Sequence, residues 1–331
     1  MQNLSFIQRA GEGKNQWYWY LITILFLFIA NIIGSIPASV AFLMGAGSGS
    51  DIQSMDAINP EAMGLHPALG LALLLLPFAL SIVGIWIGIR FLHRRPFYSL
   101  ITVKSKIDWA RFFFSFLVWF GLMAGFEIIA WLVSPENYTF TFDAAKFFPT
   151  LIVVLLFIPL QTSMEELLFR GYLLQGFGLW LKRPWATILI TSVAFGLMHI
   201  ANPEIAEFGY GILSYYIGFG LMMAVMTVMD RGLELALGVH AANNIFGASI
   251  VTFSGSALQT PTLFTIAEYK VGLMTLVWFI SSAIFLVIMT RKYHWEDWNR
   301  LWEKEEIYNW SSMDGSISEI GNSTDSEDRT S

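Results

Sequence analysis

Cysteine is absent from this sequence of 331 residues. Its absence excludes disulfide bonds, thiolate metal ligands and a cysteine nucleophile. Charged residues are also scarce, at 13% of the chain against roughly 25% in an average globular domain. The basic residues are few and scattered, which argues against a nucleic-acid-binding surface. Hydrophobic residues make up 55% of the chain, and this composition indicates an integral membrane protein.

Long apolar runs recur along the chain, and a helix needs roughly 20 residues to cross the hydrocarbon core of a bilayer. The first run is much longer than the roughly 7–15 residues of a signal-peptide core, so it is expected to be retained as a span. The pattern predicts an all-α polytopic membrane protein with about eight transmembrane helices. The predicted spans cover residues 18–44, 68–89, 112–133, 147–177, 185–200, 211–229, 233–253 and 271–290.

The positions of lysine and arginine predict the orientation of these spans. With the N-terminus in the cytoplasm, the predicted outer segments hold only Lys146 and Lys270, and the other basic residues fall on the inner side. This bias follows the positive-inside rule, so both termini are expected to be cytoplasmic. The chain is expected to have three parts. Residues 1–110 hold the first two spans and an interfacial segment, and residues 111–293 hold the third span, the core and the last span. Residues 294–331 form a polar, acidic, partly disordered tail.

Two adjacent glutamates and an arginine interrupt the fourth predicted span, in SMEELLFRGY (Ser163–Tyr172). Ionisable residues are costly inside a bilayer, so those found there are candidate functional residues. On a helix, Glu166 and Arg170 share a face at i and i+4, which predicts an ion pair. Glu165 points to a neighbouring face and lacks a basic neighbour. A buried ion network that locks helices together is the structural alternative for this cluster.

Two histidines lie in or at the end of later predicted spans: His199 ends FGLMH, and His240 begins HAANN with Asn244 on the same helix face. A lone intramembrane histidine is more often a hydrogen-bonding group between helices. Two of them with a spare glutamate favour a catalytic set, in which glutamate activates water and imidazole or carboxamide donors stabilise an oxyanion. Two histidines and a carboxylate also resemble a zinc site, so Glu165, His199 and His240 are candidate zinc ligands.

Taken together, these motifs resemble those of the CPBP intramembrane proteases, the family of CAAX proteases and bacteriocin-processing enzymes also called Abi. EELLFR (Glu165–Arg170) is similar to its EExxxR motif, FGLMH to FxxxH, and HAANN to HxxxN/D, and the resemblance covers about 151–253. It implies a catalytic core formed by spans four to seven. It implies that Glu165 is the water-activating base with His199 as its partner. It further implies that His240 and Asn244 are oxyanion donors, with His240 as an alternative metal ligand. Glu166 and Arg170 would support them.

The resemblance implies an intramembrane endopeptidase in the plasma membrane of a prokaryote, acting on a membrane-associated protein or peptide, with prenylated CAAX-type substrates included. The expected partners are this substrate and the lipid bilayer, with no nucleic acid. The cofactor is left open: zinc is an alternative that the preferred glutamate mechanism does not require. Two other functions stay open at this point. One is an ion- or proton-coupled transporter that also uses Glu127 in the third span, and the other is a non-catalytic membrane partner.

Overall fold

The computed structural model describes residues 4–46 and 65–306. Within these ranges, six helices are long and apolar enough to cross a membrane, which confirms the predicted all-α polytopic membrane protein. The six candidate spans are Trp17–Met44, Pro67–Leu92, Trp109–Val133, Ala144–Leu181, Tyr210–Asp230 and Val271–Tyr293.

The regular elements follow one another as a series of helices with three short strands. In chain order they are α1 (Trp17–Ala46), α2 (Pro67–Ile87), α3 (Trp109–Val133), β1 (Tyr138–Phe140), α4 (Ala144–Glu166), α5 (Leu174–Leu181), α6 (Pro184–Met198), α7 (Pro203–Phe208), α8 (Leu213–Asp230), α9 (Glu234–Ser249), β2 (Val251–Phe253), β3 (Phe264–Ile266) and α10 (Val271–Tyr293). Two π-helical segments, Gly88–Leu92 and Leu167–Leu173, continue α2 and join α4 to α5.

Two helices of the predicted core are shorter than a full span. The α6 helix has 15 residues and α9 has 16, against the roughly 20 needed to cross the hydrocarbon core. Both pack inside the bundle, α6 along α8 and α9 along α3 and α4. The count of eight spans and the assignment of the core to spans four to seven therefore stay predictions.

Glycines let the helices that carry the candidate residues approach closely. A Cβ atom at Gly238 of α9 would lie 2.3 Å from the carbonyl oxygen of Phe112 on α3. A Cβ atom at Gly220 of α8 would lie 3.0 Å from the Cα atom of Ser192 on α6. Small residues at such crossings are typical of membrane helix packing, because they bring the two backbones together. These two glycines therefore allow α9 to lie close to α3 and α8 to lie close to α6.

A small sheet connects the ends of several helices. Its strand order is β1–β3–β2, with β1 antiparallel and β2 parallel to β3. The register pairs Tyr138 with Ile266 and Val251 with Phe264. The seventh span was predicted to run to residue 253, but α9 ends at Ser249 and the chain then enters β2. The sheet thereby joins the segments that follow α3 and α9 to the one that precedes α10.

The predicted division into three parts stays a proposal. The predicted tail begins after α10, and its first residues contain a short 3-10 helix, Trp298–Leu301. Part of this segment packs on the rest of the chain, since Ser5 Oγ donates a 2.8 Å hydrogen bond to Glu305. The rest of the predicted tail, residues 307–331, lies outside the described residues, as do residues 47–64.

Candidate active site

The four predicted catalytic residues line one cavity of about 660 Å³. The cavity lies among α2, α3, α4, α6, α8, α9 and α10. The structure therefore brings together side chains that are far apart in the sequence. They are Glu165 from α4, His199 from the end of α6, and His240 and Asn244 from α9.

The first motif lies where the backbone changes from α-helical to π-helical. Glu166 is the last residue of α4, and Arg170 lies in the π-helix Leu167–Leu173. Such π-helical segments are often found at functional sites. Gly171 lets this π-helix pack closely against the 3-10 helix Phe97–Leu100, because a Cβ atom at Gly171 would lie 2.9 Å from the carbonyl oxygen of Leu100.

Glu166 is the centre of a buried polar network. Its Oε1 atom accepts a 2.9 Å hydrogen bond from Arg170, so the predicted ion pair is present. The same oxygen accepts a 2.7 Å hydrogen bond from Nδ1 of His240. Glu166 and Arg170 are fully buried and His240 is 3% exposed, and the Arg170 guanidinium also lies 4.2 Å from the ring centroid of Phe195. Glu166 therefore holds α4, the π-helix and α9 together.

Glu165 has different surroundings from its neighbour. Its Oε1 atom accepts a 2.5 Å hydrogen bond from the Gln161 side chain, one turn earlier on α4. Its Oε2 atom has no hydrogen-bond partner in the described part of the chain and lies 3.6 Å from Nε2 of His240. Gln161 in turn accepts a 3.1 Å hydrogen bond from Asn244. Oε2 of Glu166 is also unpartnered among the described residues, but Glu165 lines the cavity and Glu166 does not.

His199 is the residue directly after α6, and its ring is fixed on two sides. Its Nδ1 atom lies 2.8 Å from the carbonyl oxygen of Phe195. Because a carbonyl only accepts, Nδ1 carries the hydrogen and donates it, and the lone pair of the neutral ring is on Nε2. The ring also stacks on Tyr216 of α8, with centroids 4.3 Å apart and planes at 19°. The ring of His199 therefore has a defined tautomer and a defined plane.

The candidate zinc ligands are not arranged as a metal site. Among the described residues, no group of three or more His, Cys, Asp or Glu side chains is placed to hold a metal ion. Glu165, His199 and His240 line one cavity but do not form such a group. The zinc assignment therefore stays a prediction.

The structure adds two residues that the motifs did not single out. Gln161 links Glu165 to Asn244, and Tyr216 supports the ring of His199. Gln161 could have been found from the sequence, because it is a polar residue in an apolar run at i−4 from Glu165. Tyr216 carries no such signal, since its contact crosses from one helix to another.

Comparison with known proteins identifies the family. The family model described as type II CAAX prenyl endopeptidase Rce1-like matches residues 144–246. The protein YyaK of Bacillus subtilis (strain 168) is 35% identical over 267 residues, which span 80% of this chain and 88% of that protein. The chain belongs to the Rce1-like family. No solved structure matches it.

Membership in the Rce1-like family agrees with the resemblance inferred from the motifs. The matched range contains EELLFR, FGLMH and HAANN, with every candidate residue from Glu165 to Asn244. The family implies CAAX-type intramembrane protease activity on a membrane-associated substrate. Together with the six apolar helices, it identifies the chain as an integral membrane protein.

Proposed function

We propose that this protein is an endopeptidase that hydrolyses a peptide bond of a membrane-associated, prenylated CAAX-type substrate with water activated by Glu165. The observation that carries the proposal is the unpartnered Oε2 atom of Glu165, 3.6 Å from Nε2 of His240 in a cavity of about 660 Å³. A carboxylate oxygen beside an imidazole nitrogen can bind water and take its proton.

Charge balance supports a proton on His240. The carboxylates of Glu165 and Glu166 and the guanidinium of Arg170 leave one negative charge uncompensated in a buried cluster. Uncompensated charge is costly where water is excluded. A proton on Nε2 of His240 neutralises the cluster, because Nδ1 already donates to Glu166. His240 then has an N–H group that can donate to an oxyanion.

The reaction proceeds in two steps. The oxygen of water attacks the carbonyl carbon of the substrate while Oε2 of Glu165 takes a proton from that water. The Nε2–H group of His240, with Asn244 beside it in the cavity, stabilises the oxyanion. Glu165 then gives its proton to the leaving nitrogen as the carbon–nitrogen bond breaks, which leaves a carboxyl group and an amine. His199 orients the water through its Nε2 lone pair.

The test is peptide cleavage by the purified full chain in liposomes. Farnesylated peptides with a CAAX terminus are compared with the same peptides lacking the lipid. We expect Glu165→Gln to reduce kcat by roughly 10²–10⁴-fold and His240→Ala by roughly 10²–10³-fold. Glu136→Gln is the matched control, because Glu136 is exposed in the turn after α3.

Full cleavage by folded Glu165→Gln would overturn the proposed mechanism. Preference for the unlipidated peptide would overturn the substrate class. A chelator addresses the metal directly: activity that is lost with chelator and restored by zinc would replace the glutamate mechanism with a metal-dependent one.

We also propose that the chain lies in the plasma membrane of a prokaryote with both termini in the cytoplasm. The support is the sequence bias that leaves only Lys146 and Lys270 in the predicted outer segments. Because the chain lacks cysteine, single introduced cysteines can report the orientation. On intact cells, an impermeant maleimide is expected to label Glu268→Cys and not Lys304→Cys. The reverse labelling would invert the topology.

A further inference from the structure

The cavity contains two more carboxylates, which the proposed mechanism does not use. Glu127 from α3 and Glu204 from α7 line it together with Glu165. The described part of the chain places no lysine, arginine or histidine in an ion pair with either of them. Within residues 4–46 and 65–306, no lysine or arginine lines the cavity. Glu204 is buried and Glu127 is half-buried, and a carboxylate removed from water without a cation is costly, so both need an explanation.

Glu204 is held in place with one oxygen left over. It is 7% exposed, and its Oε1 atom accepts a 2.7 Å hydrogen bond from the backbone N–H of Ala257. Its Oε2 atom has no partner among the described residues. Glu127 is fixed in a similar way, because Tyr138 Oη donates a 2.6 Å hydrogen bond to its Oε1 atom. Both carboxylates are therefore positioned before any ligand binds.

Aromatic rings line the same part of the cavity. Tyr269 stacks on Phe253 with ring centroids 4.0 Å apart, and both rings line the wall. Burial raises the pKa of the Tyr269 hydroxyl, and Tyr215 and then the carboxylates of Glu127 and Glu204 raise it further. Both carboxylates thus act on one tyrosine. Carboxylates next to the faces of neutral aromatic rings form a favourable environment for an organic cation.

One unpartnered donor also lines the cavity. Trp278 of α10 is 8% exposed, and its Nε1 atom has no hydrogen-bond partner in the described ranges. Buried indole N–H groups usually find an acceptor. A peptide can supply both missing partners, since its backbone carbonyls accept and a basic side chain donates.

We propose that Glu127 and Glu204 bind a lysine or arginine side chain of the substrate near its scissile bond. This inference rests on the proposed function, because it assumes that the ligand of the cavity is a peptide. The unpartnered oxygen of Glu204 accepts from the cation, Glu127 supplies a second negative charge, and Trp278 donates to a peptide carbonyl. The region makes this protease specific for substrates with a basic residue.

The experiment measures peptide binding and cleavage separately. Farnesylated CAAX peptides of matched sequence carry lysine or its neutral analogue norleucine at successive positions around the scissile bond. Binding is measured by fluorescence anisotropy with the Glu165→Gln variant, because that variant is expected to leave the peptides uncut. Cleavage is measured with the unsubstituted protein. We expect at least about tenfold tighter binding of lysine at one position, since hydrogen bonds to charged groups are worth more than about 1.4 kcal/mol.

We expect Glu204→Gln and Glu127→Gln, each combined with Glu165→Gln, to lower the ratio of lysine-peptide affinity to norleucine-peptide affinity toward one. Binding of the norleucine peptide should stay within about twofold, which also shows that the variants are folded. Glu207→Gln is the matched control, because Glu207 lies on α7 with an exposed side chain outside the cavity lining.

Equal binding of the lysine and norleucine peptides at every position would overturn the inference, as would a preference that survives both substitutions. The proposed function fails in a different way. If the unsubstituted protein cuts no peptide while the lysine preference depends on Glu204, the cation site stands and the proteolytic function does not. If it cuts both peptides equally well, the proteolytic function stands and the cation site does not.

Discussion

The Nδ1 atom of His240 donates a 2.7 Å hydrogen bond to Oε1 of Glu166, and this contact joins α9 to α4 across 74 positions of sequence. The same oxygen accepts from Arg170. Glu165, the adjacent residue, has an unpartnered oxygen facing the other nitrogen of His240. Two neighbouring carboxylates are thus placed on the two sides of one imidazole, and they are expected to respond differently to substitution.

The first prediction separates the two glutamates. Glu166→Gln removes one charge from a fully buried network, so we expect a loss of roughly 3–5 kcal/mol in the free energy of unfolding. Glu165→Gln should cost clearly less, because that side chain lines the cavity and is not part of the Arg170 pair. Thermal unfolding in detergent measures both effects. Equal destabilisation by the two substitutions would contradict the separation of roles.

The second prediction concerns Gln161 as a positioning residue. Gln161→Met keeps the volume but removes the hydrogen bonds to Glu165 and Asn244, so the proposed base loses its orientation. We expect kcat to fall by roughly 10²-fold with KM unchanged, and the pH profile of kcat to shift. Thr162→Val is the matched control, since Thr162 is buried and bonds to the Ile158 carbonyl of its own helix. If the pH profile of kcat does not shift in Gln161→Met, Gln161 has only a structural role.

The third prediction tests the ring that supports His199. Tyr216 stacks on His199 at 4.3 Å, and such pairs are worth about 0.5–1.5 kcal/mol beyond the area they bury. Tyr216→Phe keeps the stack and should change kcat/KM by less than about twofold. Tyr216→Leu removes it and should lower kcat/KM by roughly tenfold, because His199 then loses its fixed plane. The measurement is kcat/KM for one peptide with both variants. An equal loss of kcat/KM in the two variants would show that the Tyr216 hydroxyl, and not the stacked ring, is required.

The fourth prediction is a pH dependence of stability at His93, outside the predicted site. Its Nδ1 atom donates to the Lys14 carbonyl and its Nε2 atom accepts from the Tyr172 hydroxyl, so the neutral ring is satisfied. Burial, and then the charge of Arg95, lower the pKa of His93 to about 4. In the unfolded chain an unperturbed histidine has a pKa of about 6.5.

The sign of this effect follows from proton binding. Between pH 6.5 and about 4 the unfolded chain binds the proton before the folded chain does, so stability falls as the pH falls through that window. The full effect is roughly 3 kcal/mol. His93→Gln should remove this part of the dependence of Tm on pH, whereas His294→Gln, at an exposed position, should not. Identical curves of Tm against pH for His93→Gln and the unsubstituted protein would contradict this prediction.

Spacing along one helix was enough to predict contacts within that helix. Glu166 and Arg170 at i and i+4 were expected to pair, and they do. The long apolar runs also predicted the all-α membrane fold, because the bilayer requires a minimum helix length. Helix ends were less predictable: the apolar pattern continues past Ser249, but the backbone there leaves the helix to pair with β3.

The sequence by itself determined the membrane class, the family motifs and the division between a glutamate paired with Arg170 and one that is not, since each depends on composition or local spacing. Only the tertiary structure decided that His240 faces both glutamates, that Gln161 links Glu165 to Asn244, and that Glu127 and Glu204 share their cavity. The physical reason is that contacts between helices depend on how each helix is rotated and how closely it packs. That arrangement is set by many small contacts, such as the one at Gly238, which no single motif records.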